Sequence, residues 1–231
     1  MVDRGLVANR TKAQALIMAG KVRIEGKDAI RAGTPVPEDT VISLLEPPPF
    51  VSRGGIKLEH ALDRFRIDVS AKIVVDIGAS TGGFTDCLLK RGASRVYAVD
   101  VGYGQIDYRL RQDPRVVIME GVNARYPLAL PEKVDLVTID VSFISVEKII
   151  PSVAELLKTD GDIIVLIKPQ FEAKRVEVGK RGIIRQPIIH ARVIGRFIAW
   201  RIQHRFRLGG LVASPLFGAS GNREFLALIK R

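Results

Sequence analysis

VVDIGASTGGFTDCLLKRGASRVYAVD, residues 74–100, decides how this chain folds. The apolar run Ile73–Val75 suits a buried strand, Asp76 ends it, and a turn with Gly78, Gly82 and Gly83 follows. Phe84–Arg91 reads as a helix that stops at Gly92, and a second apolar run, Val96–Val99, closes on Asp100. This is the order of a nucleotide-binding β-α-β unit. Its glycines let backbone N–H groups approach a ligand at a helix start, and a carboxylate after the second strand can bind ribose hydroxyls.

The spacing bears on the ligand. A pyrophosphate-binding turn reads G-x-G-x-x-G. Here Ser80 stands where the middle glycine belongs. A ligand without a diphosphate is therefore favoured, and S-adenosylmethionine fits. Its amino-acid end would lie on the turn Gly78, Ala79, Ser80, Thr81, Gly82 and Gly83, with its ribose at Asp100 and Val101. Close packing of strand on helix is the competing account of such a turn, and the combination with Asp100 favours a ligand site.

Composition narrows the classes. The 231 residues suffice for one moderate domain and a small one, and 47% apolar content supports a packed core. A single cysteine, Cys87, offers no disulfide framework, so a reducing cytoplasmic setting is expected. There is no signal-peptide pattern, and the longest aliphatic run, Ile163–Ile167, is too short to span a bilayer. The net charge of +11 sits at the two ends: residues 171–231 carry 13 Lys and Arg against 3 Asp and Glu, and residues 1–33 carry 7 against 3. Basic ends around a near-neutral middle point to a polyanion, most simply nucleic acid. Arg192, Arg196, Arg201 and Arg205 do not share a helix face, which argues against membrane anchoring.

Two domains are expected. Residues 1–46 form a small α+β unit, with Asn9 capping a helix from Arg10 to Ala19, Gly20 stopping it, and short strands at Lys21–Ile24 and Val41–Leu45. The stiff run Pro47-Pro48-Pro49 lies in a linker, 47–51. Residues 52–231 alternate helix and strand. Helices are predicted over Lys57–Phe65, 147–157 and 188–204. Strands are predicted near 72–77, 95–100, 115–119, 134–140 and 162–167, with a final pair near 208–214 and 223–230. The fold class is α/β, a Rossmann-like, mostly parallel sheet with helices on both faces and an antiparallel edge.

In such a sheet the site lies beyond the carboxyl ends of the strands. Asp140 and Lys168 each end an apolar run, Lys57 follows Arg53-Gly54-Gly55, and Glu224 follows Gly221-Asn222. Two lysines and two carboxylates make an acid–base set if they converge. A rim of ion pairs is the plainer account of the same residues. No metal ligands are assigned.

Eight segments then carry a resemblance: SRGGIKL (52–58), VVDIGASTGGFTD (74–86), AVDVGYGQ (98–105), NAR (123–125), IDVSFIS (139–145), IKPQFEA (167–173), VGKRGI (178–183) and GNREFL (221–226). In order and over nearly the whole chain, they resemble the TlyA family. Its members are often labelled haemolysins and are understood as ribosomal RNA ribose 2′-O-methyltransferases. Residues 9–27 resemble an S-four-type RNA-binding domain, and the larger part is similar to FtsJ-like methyltransferases with a Lys-Asp-Lys-Glu tetrad. The resemblance carries that tetrad to Lys57, Asp140, Lys168 and Glu224, with Asp140 also near the cofactor and Asn123 near its adenine. It implies S-adenosylmethionine-dependent methylation of ribosomal RNA, with cytidine the expected nucleotide and Lys168 the general base. Two departures stand out: the family usually has several more residues before Met1, which leaves the RNA-binding unit shortened, and Arg181 stands where it has glycine, which predicts a different course for that loop.

Arg10, Lys12, Lys21, Arg23 and Arg53 are the expected RNA contacts, with the basic loop Lys174–Arg185 near them. The partner is ribosomal RNA or a ribosomal subunit. A non-catalytic RNA-binding or ribosome-assembly factor is the alternative. A cytolysin is less favoured, for want of a membrane-inserting segment. A methyltransferase for amino groups commonly carries an Asn/Asp-Pro-Pro-aromatic motif after its fourth strand. Asp140-Val141-Ser142-Phe143 lacks the prolines.

Overall fold

A computed structural model describes residues 1–28, 31–45 and 48–231, with the backbone alone at Lys180. Glu46 and Pro47, expected at the domain boundary, lie outside the described residues. The chain divides into two compact units, Met1–Pro49 and Phe50–Arg231. Phe50 and Val51, expected in the linker, belong to the second unit: the Phe50 ring is buried, and the Val51 amide donates to Asp86 Oδ2 at 2.8 Å.

In the first unit α1 (Arg10–Met18) starts at Asn9, whose side chain accepts from the Lys12 amide at 2.9 Å. Gly20, at φ +64°, ends it. Strands β1 (Val22–Ile24), β2 (Lys27–Asp28) and β3 (Ile42–Leu44) pair antiparallel in the order β2-β1-β3. The two-residue β2 was not predicted, because Lys27-Asp28 has no apolar pattern and reaches β1 through the turn at Glu25-Gly26, both at positive φ.

The second unit runs α2 (Arg53–Phe65), β4 (Ile73–Ile77), α3 (Gly83–Lys90), β5 (Arg95–Val99), α4 (Tyr108–Arg111), β6 (Val116–Met119), β7 (Val134–Ile139), α5 (Ile150–Ala154), β8 (Leu157–Ile167), α6 (Pro169–Glu172), α7 (Pro187–Gln203), β9 (Arg207–Ala213) and β10 (Phe225–Lys230). The sheet order is β6-β5-β4-β7-β8-β10-β9, and β4 to β8 are parallel. Strand side chains alternate between two cores. Val74, Val96, Leu136, Ile164 and Leu226 pack with α2 and α3, whereas Val75, Tyr97, Val137, Ile163 and Ala227 pack with α5 and α7.

Some boundaries differ from expectation. α2 begins four residues early, because Ser52 caps it by accepting from the Gly54 amide at 3.3 Å, and Arg53-Gly54-Gly55 form its first turn. The helix expected over 147–157 is a 3₁₀ turn at Val146–Lys148 followed by the short α5, since Pro151 lacks the N–H that a continuous helix needs. β8 starts at Leu157 rather than near 162, with a register break opposite Val134–Leu136 that absorbs its polar residues. The antiparallel strand is β10, and it lies inside the sheet while β9 takes the edge. Leu226–Ile229 are buried on both faces, whereas Arg207 and Gly209 of β9 face solvent, which suits an edge. No helix among the described residues is long and apolar enough to cross a membrane.

Two polar groups lie inside this second unit. Cys87, in α3, is buried among apolar side chains, and burial pushes its thiol up to about 12. Asp76, near the end of β4, is fully buried and accepts from Thr85 Oγ1 of α3 at 2.7 Å and Thr138 Oγ1 of β7 at 3.0 Å. Desolvation pushes its carboxyl up to about 7, against the two hydroxyl bonds. A carboxyl raised in the folded state favours folding at low pH, and that stability is lost as pH rises from about 4 to about 7, on the order of 4 kcal/mol over the window. Asp76→Asn keeps the shape and removes the titration. In urea unfolding at pH 5 and pH 8 it should lose less stability over the interval than the unaltered chain. Equal losses would show that Asp76 does not titrate there.

Candidate active site

The carboxyl ends of β4, β5 and β7 meet through backbone contacts. Gly78, at φ +83°, follows β4, and a Cβ built there would lie 2.5 Å from the Asp140 carbonyl oxygen. Only glycine lets the turn run this close to the loop after β7. The Gly78 and Ala79 amides donate to the Val99 carbonyl at 2.8 and 3.1 Å. Asp100 then holds two loops: Oδ2 accepts from the Ser80 amide at 2.8 Å, and Oδ1 from the Gly102 amide at 2.7 Å. The Asn123 carboxamide closes its own turn by accepting from the Arg125 amide at 3.0 Å.

These contacts frame two cavities. One, of about 360 Å³, is lined by Gly78, Ser80, Asp100, Val101, Asn123 and Ala124, with Ile77, Ile144 and Ile149 as apolar walls. The other, of about 180 Å³, is lined by Ser52, Lys57, Ala79, Thr81, Gly83 and Lys168 among others. Gly78, Ser80, Asp140 and Ser142 belong to both. Gly82, expected at the cofactor, lines neither. A Cβ there would meet Leu110 Cδ1 at 2.2 Å, so Gly82 serves the packing of α3 against α4. Gly83 does both jobs: it lines the smaller cavity, and a Cβ would strike Ser52 Oγ at 2.1 Å.

The four tetrad residues form two ion pairs. Lys57 Nζ lies 2.5 Å from Glu224 Oε2, both buried, and Lys168 Nζ lies 2.6 Å from Asp140 Oδ1. Lys57, Asp140 and Lys168 line the smaller cavity together, and Glu224 stands behind Lys57. Gly218 covers Glu224 so closely that a Cβ would lie 2.4 Å from Oε1. Buried Asn222 ties that loop to the basic loop, accepting from the Ile184 amide at 2.9 Å and donating to the Gly182 carbonyl at 2.8 Å. Arg181 holds φ +65°, a conformation that suits glycine and costs an arginine about 1–2 kcal/mol.

Four of the expected RNA contacts belong to the first unit and Arg53 to the second. Arg10, Lys12 and Arg23 are exposed and Lys21 is half-buried in the first unit, and Arg23 pairs with Asp28 at 3.3 Å. Arg53, exposed at the start of α2, donates to the Phe217 carbonyl at 2.6 Å.

Sequence reasoning missed several residues here. Ser142 Oγ accepts from Lys168 Nζ at 2.9 Å. Phe143 is 90% exposed with φ +64°, an aromatic held open at the cavity rim at a backbone cost. Gln105 lines the larger cavity and accepts from Ser80 Oγ at 3.3 Å. Glu172, its carboxyl raised by burial, accepts from Ser145 Oγ at 2.6 Å and the Val146 amide at 2.9 Å. Val141-Ser142-Phe143, within the matched segment 139–145, is the sequence signal for two of them.

The residues present fit S-adenosylmethionine. The larger cavity offers apolar walls and a strand-end carboxylate, and its glycine turn presents no side chain at Gly78. The FtsJ-like methyltransferase family matches residues 50–231. The 16S/23S rRNA (cytidine-2'-O)-methyltransferase TlyA of Mycobacterium tuberculosis is 44% identical over 235 residues, covering 100% of this chain and 87% of its own length. A solved structure from Streptococcus thermophilus, named as a hemolysin, is 43% identical with a TM-score of 0.78, covering 99% of this chain and 85% of that one. An S-adenosylmethionine dependent methyltransferase from Mesorhizobium loti shares the fold at 16% identity and a TM-score of 0.57, covering 74% of this chain and 96% of that one. On this evidence the chain belongs to the FtsJ-like methyltransferase family.

Proposed function

We propose that this chain transfers a methyl group from S-adenosylmethionine to a ribose 2′-oxygen of ribosomal RNA. The observation that carries the reading is the meeting of Lys57, Asp140 and Lys168 on one small cavity, which shares Gly78 and Ser80 with the larger one. The activity named for the Mycobacterium relative supports ribosomal RNA as the acceptor and cytidine as the nucleotide to test first. The S-four-like reading of the first unit, with Arg10, Lys12, Lys21 and Arg23 on phosphates, belongs to the same proposal.

S-adenosylmethionine, when bound, supplies a methyl group on a sulfonium sulfur, which keeps the S–C electron pair as the methyl leaves. Gly78–Thr81 and Gly83 would hold its amino-acid end, Asp100 its ribose, and Val101 and Asn123 its adenine side. A 2′-hydroxyl is a weak nucleophile and must lose its proton as the new C–O bond forms. Lys168, entering as the free amine, takes that proton on Nζ. Asp140 lies beside the ammonium that forms, so the charge develops next to a carboxylate. Lys57, paired with Glu224, donates to the hydroxyl oxygen and holds it in line. The exposed Phe143 ring offers a face on which the acceptor base can stack. A non-catalytic scaffold gains no specific support, since both ion pairs are formed.

Four outcomes are expected. Calorimetry should find S-adenosylmethionine binding weakened about 10- to 100-fold by Asp100→Ala, the loss of bonds to a charged group. Gly78→Ala should abolish binding, with circular dichroism checking that the variant folds. Tritiated S-adenosylmethionine with ribosomal subunits should label a ribose 2′-oxygen, located by nuclease digestion and mass spectrometry. Lys168→Ala should cut that rate by about 10²–10⁴-fold while cofactor binding stays. Label on a base or on protein would overturn the reading, and undiminished turnover would remove Lys168 as the base.

A further inference from the structure

Lys168 is touched by a group to which the mechanism above gives no part. Its Nζ pairs with Asp140 Oδ1 at 2.6 Å and donates to Ser142 Oγ at 2.9 Å. Ser142 lies on the wall common to both cavities. We propose that Ser142 is a positioning residue for Lys168, its hydrogen bond stopping the rotation of the amine that presents the lone pair to the acceptor hydroxyl. The inference rests on the reading of Lys168 as the base.

The argument is one of valence. A lysine nitrogen has four tetrahedral directions, and Cε takes one. The Asp140 contact is an ion pair without hydrogen-bond alignment, since Asp140 Oδ1 accepts no hydrogen bond among the described residues, so it leaves rotation about the Cε–Nζ bond free. The N–H to Ser142 takes a second direction and stops that rotation, so the other hydrogen and the lone pair are confined to the two directions left. A proton acceptor whose lone pair is aimed before the substrate arrives has no reorientation to make during the reaction.

Ser142 is in turn held to the segment that carries the lysine. Glu172 bridges Ser145 Oγ and the Val146 amide, at 2.6 and 2.9 Å. The ring of Phe143, next to Ser142, stands 5.0 Å from that of Phe171. Phe171 and Glu172 lie on α6, which begins one residue after Lys168. Loop and amine are thus tied to the same short element, which holds the backbone from which the Ser142 hydroxyl reaches Nζ. Asp140 sets the charge beside the lysine, and Ser142 sets its rotation.

The test uses the full chain, with ribosomal subunits as acceptor and ¹⁵N-labelled lysine as a second probe. Ser142→Ala should lower kcat about 10-fold, leaving the KM for RNA and the Kd for S-adenosylmethionine unchanged. Ser142→Thr keeps the hydroxyl and should restore most of the rate, because the Ser142 backbone lies outside the left-handed region that would exclude a β-branched residue. In the ¹⁵N spectrum, the ammonium signal assigned by its loss in Lys168→Ala should broaden in Ser142→Ala and return in Ser142→Thr. A Ser142→Ala protein with full kcat, or with an unaltered Lys168 signal, overturns the positioning role. Failure of the unaltered chain to methylate RNA overturns the base reading instead, and the lysine signal separates the two results.

Discussion

The structure of the site depends on one close approach. At Gly78 the turn after β4 passes the carbonyl of Asp140 with no room for a side chain, and the Asp140 amide donates to the Ile77 carbonyl at 2.9 Å. Two adjacent parallel strands are thereby held together beyond the end of the sheet, where their loops would otherwise part. Both cavities include Gly78 and Asp140 because of this contact. A side chain at 78 would push the glycine turn and Asp140 apart.

The two ion pairs are better understood as chemistry than as stability. Removing paired charges from water costs several kcal/mol per ion, and apolar residues of similar volume often hold a fold as well. Lys57 and Glu224 are nonetheless buried, 8% and 3% exposed, at the wall of a small polar cavity. Asp76 shows the other way of burying a carboxyl. It is held by two threonine hydroxyls, and its carboxyl rises to about 7. One unit therefore holds buried carboxyls in two settings, beside lysine at the cavity and among hydroxyls within the sheet.

Where the sequence misled, the cause was a residue whose role depends on distant contacts. Arg53-Gly54-Gly55 looks like a loop, yet it is a helical turn because Ser52 caps it and the absent side chains admit Phe50 and Phe84. Gly82 looks like part of a ligand cradle, yet Leu110 fills the space beside it. Ser142 and Glu172 lie in the matched segments 139–145 and 167–173, but nothing local shows what they touch. A serine three residues past a strand and a glutamate on a four-residue helix become informative only once β7 and β8 lie side by side and bring their loops together.

The sequence alone determined the alternation of strand and helix, the glycine turn with its Asp100, and the four residue types of the tetrad. These are local properties, set by side-chain period, by glycine's freedom at positive φ and by the carboxylate or amine at a strand end. The tertiary structure decided that Lys57 pairs with Glu224 across 167 positions, that β10 returns inside the sheet, and that Ser142 reaches the Lys168 amine. Those outcomes depend on strand order and on the packing of loops from separate elements. Contacts of that kind join residues far apart in the chain, and no periodicity or short motif records them.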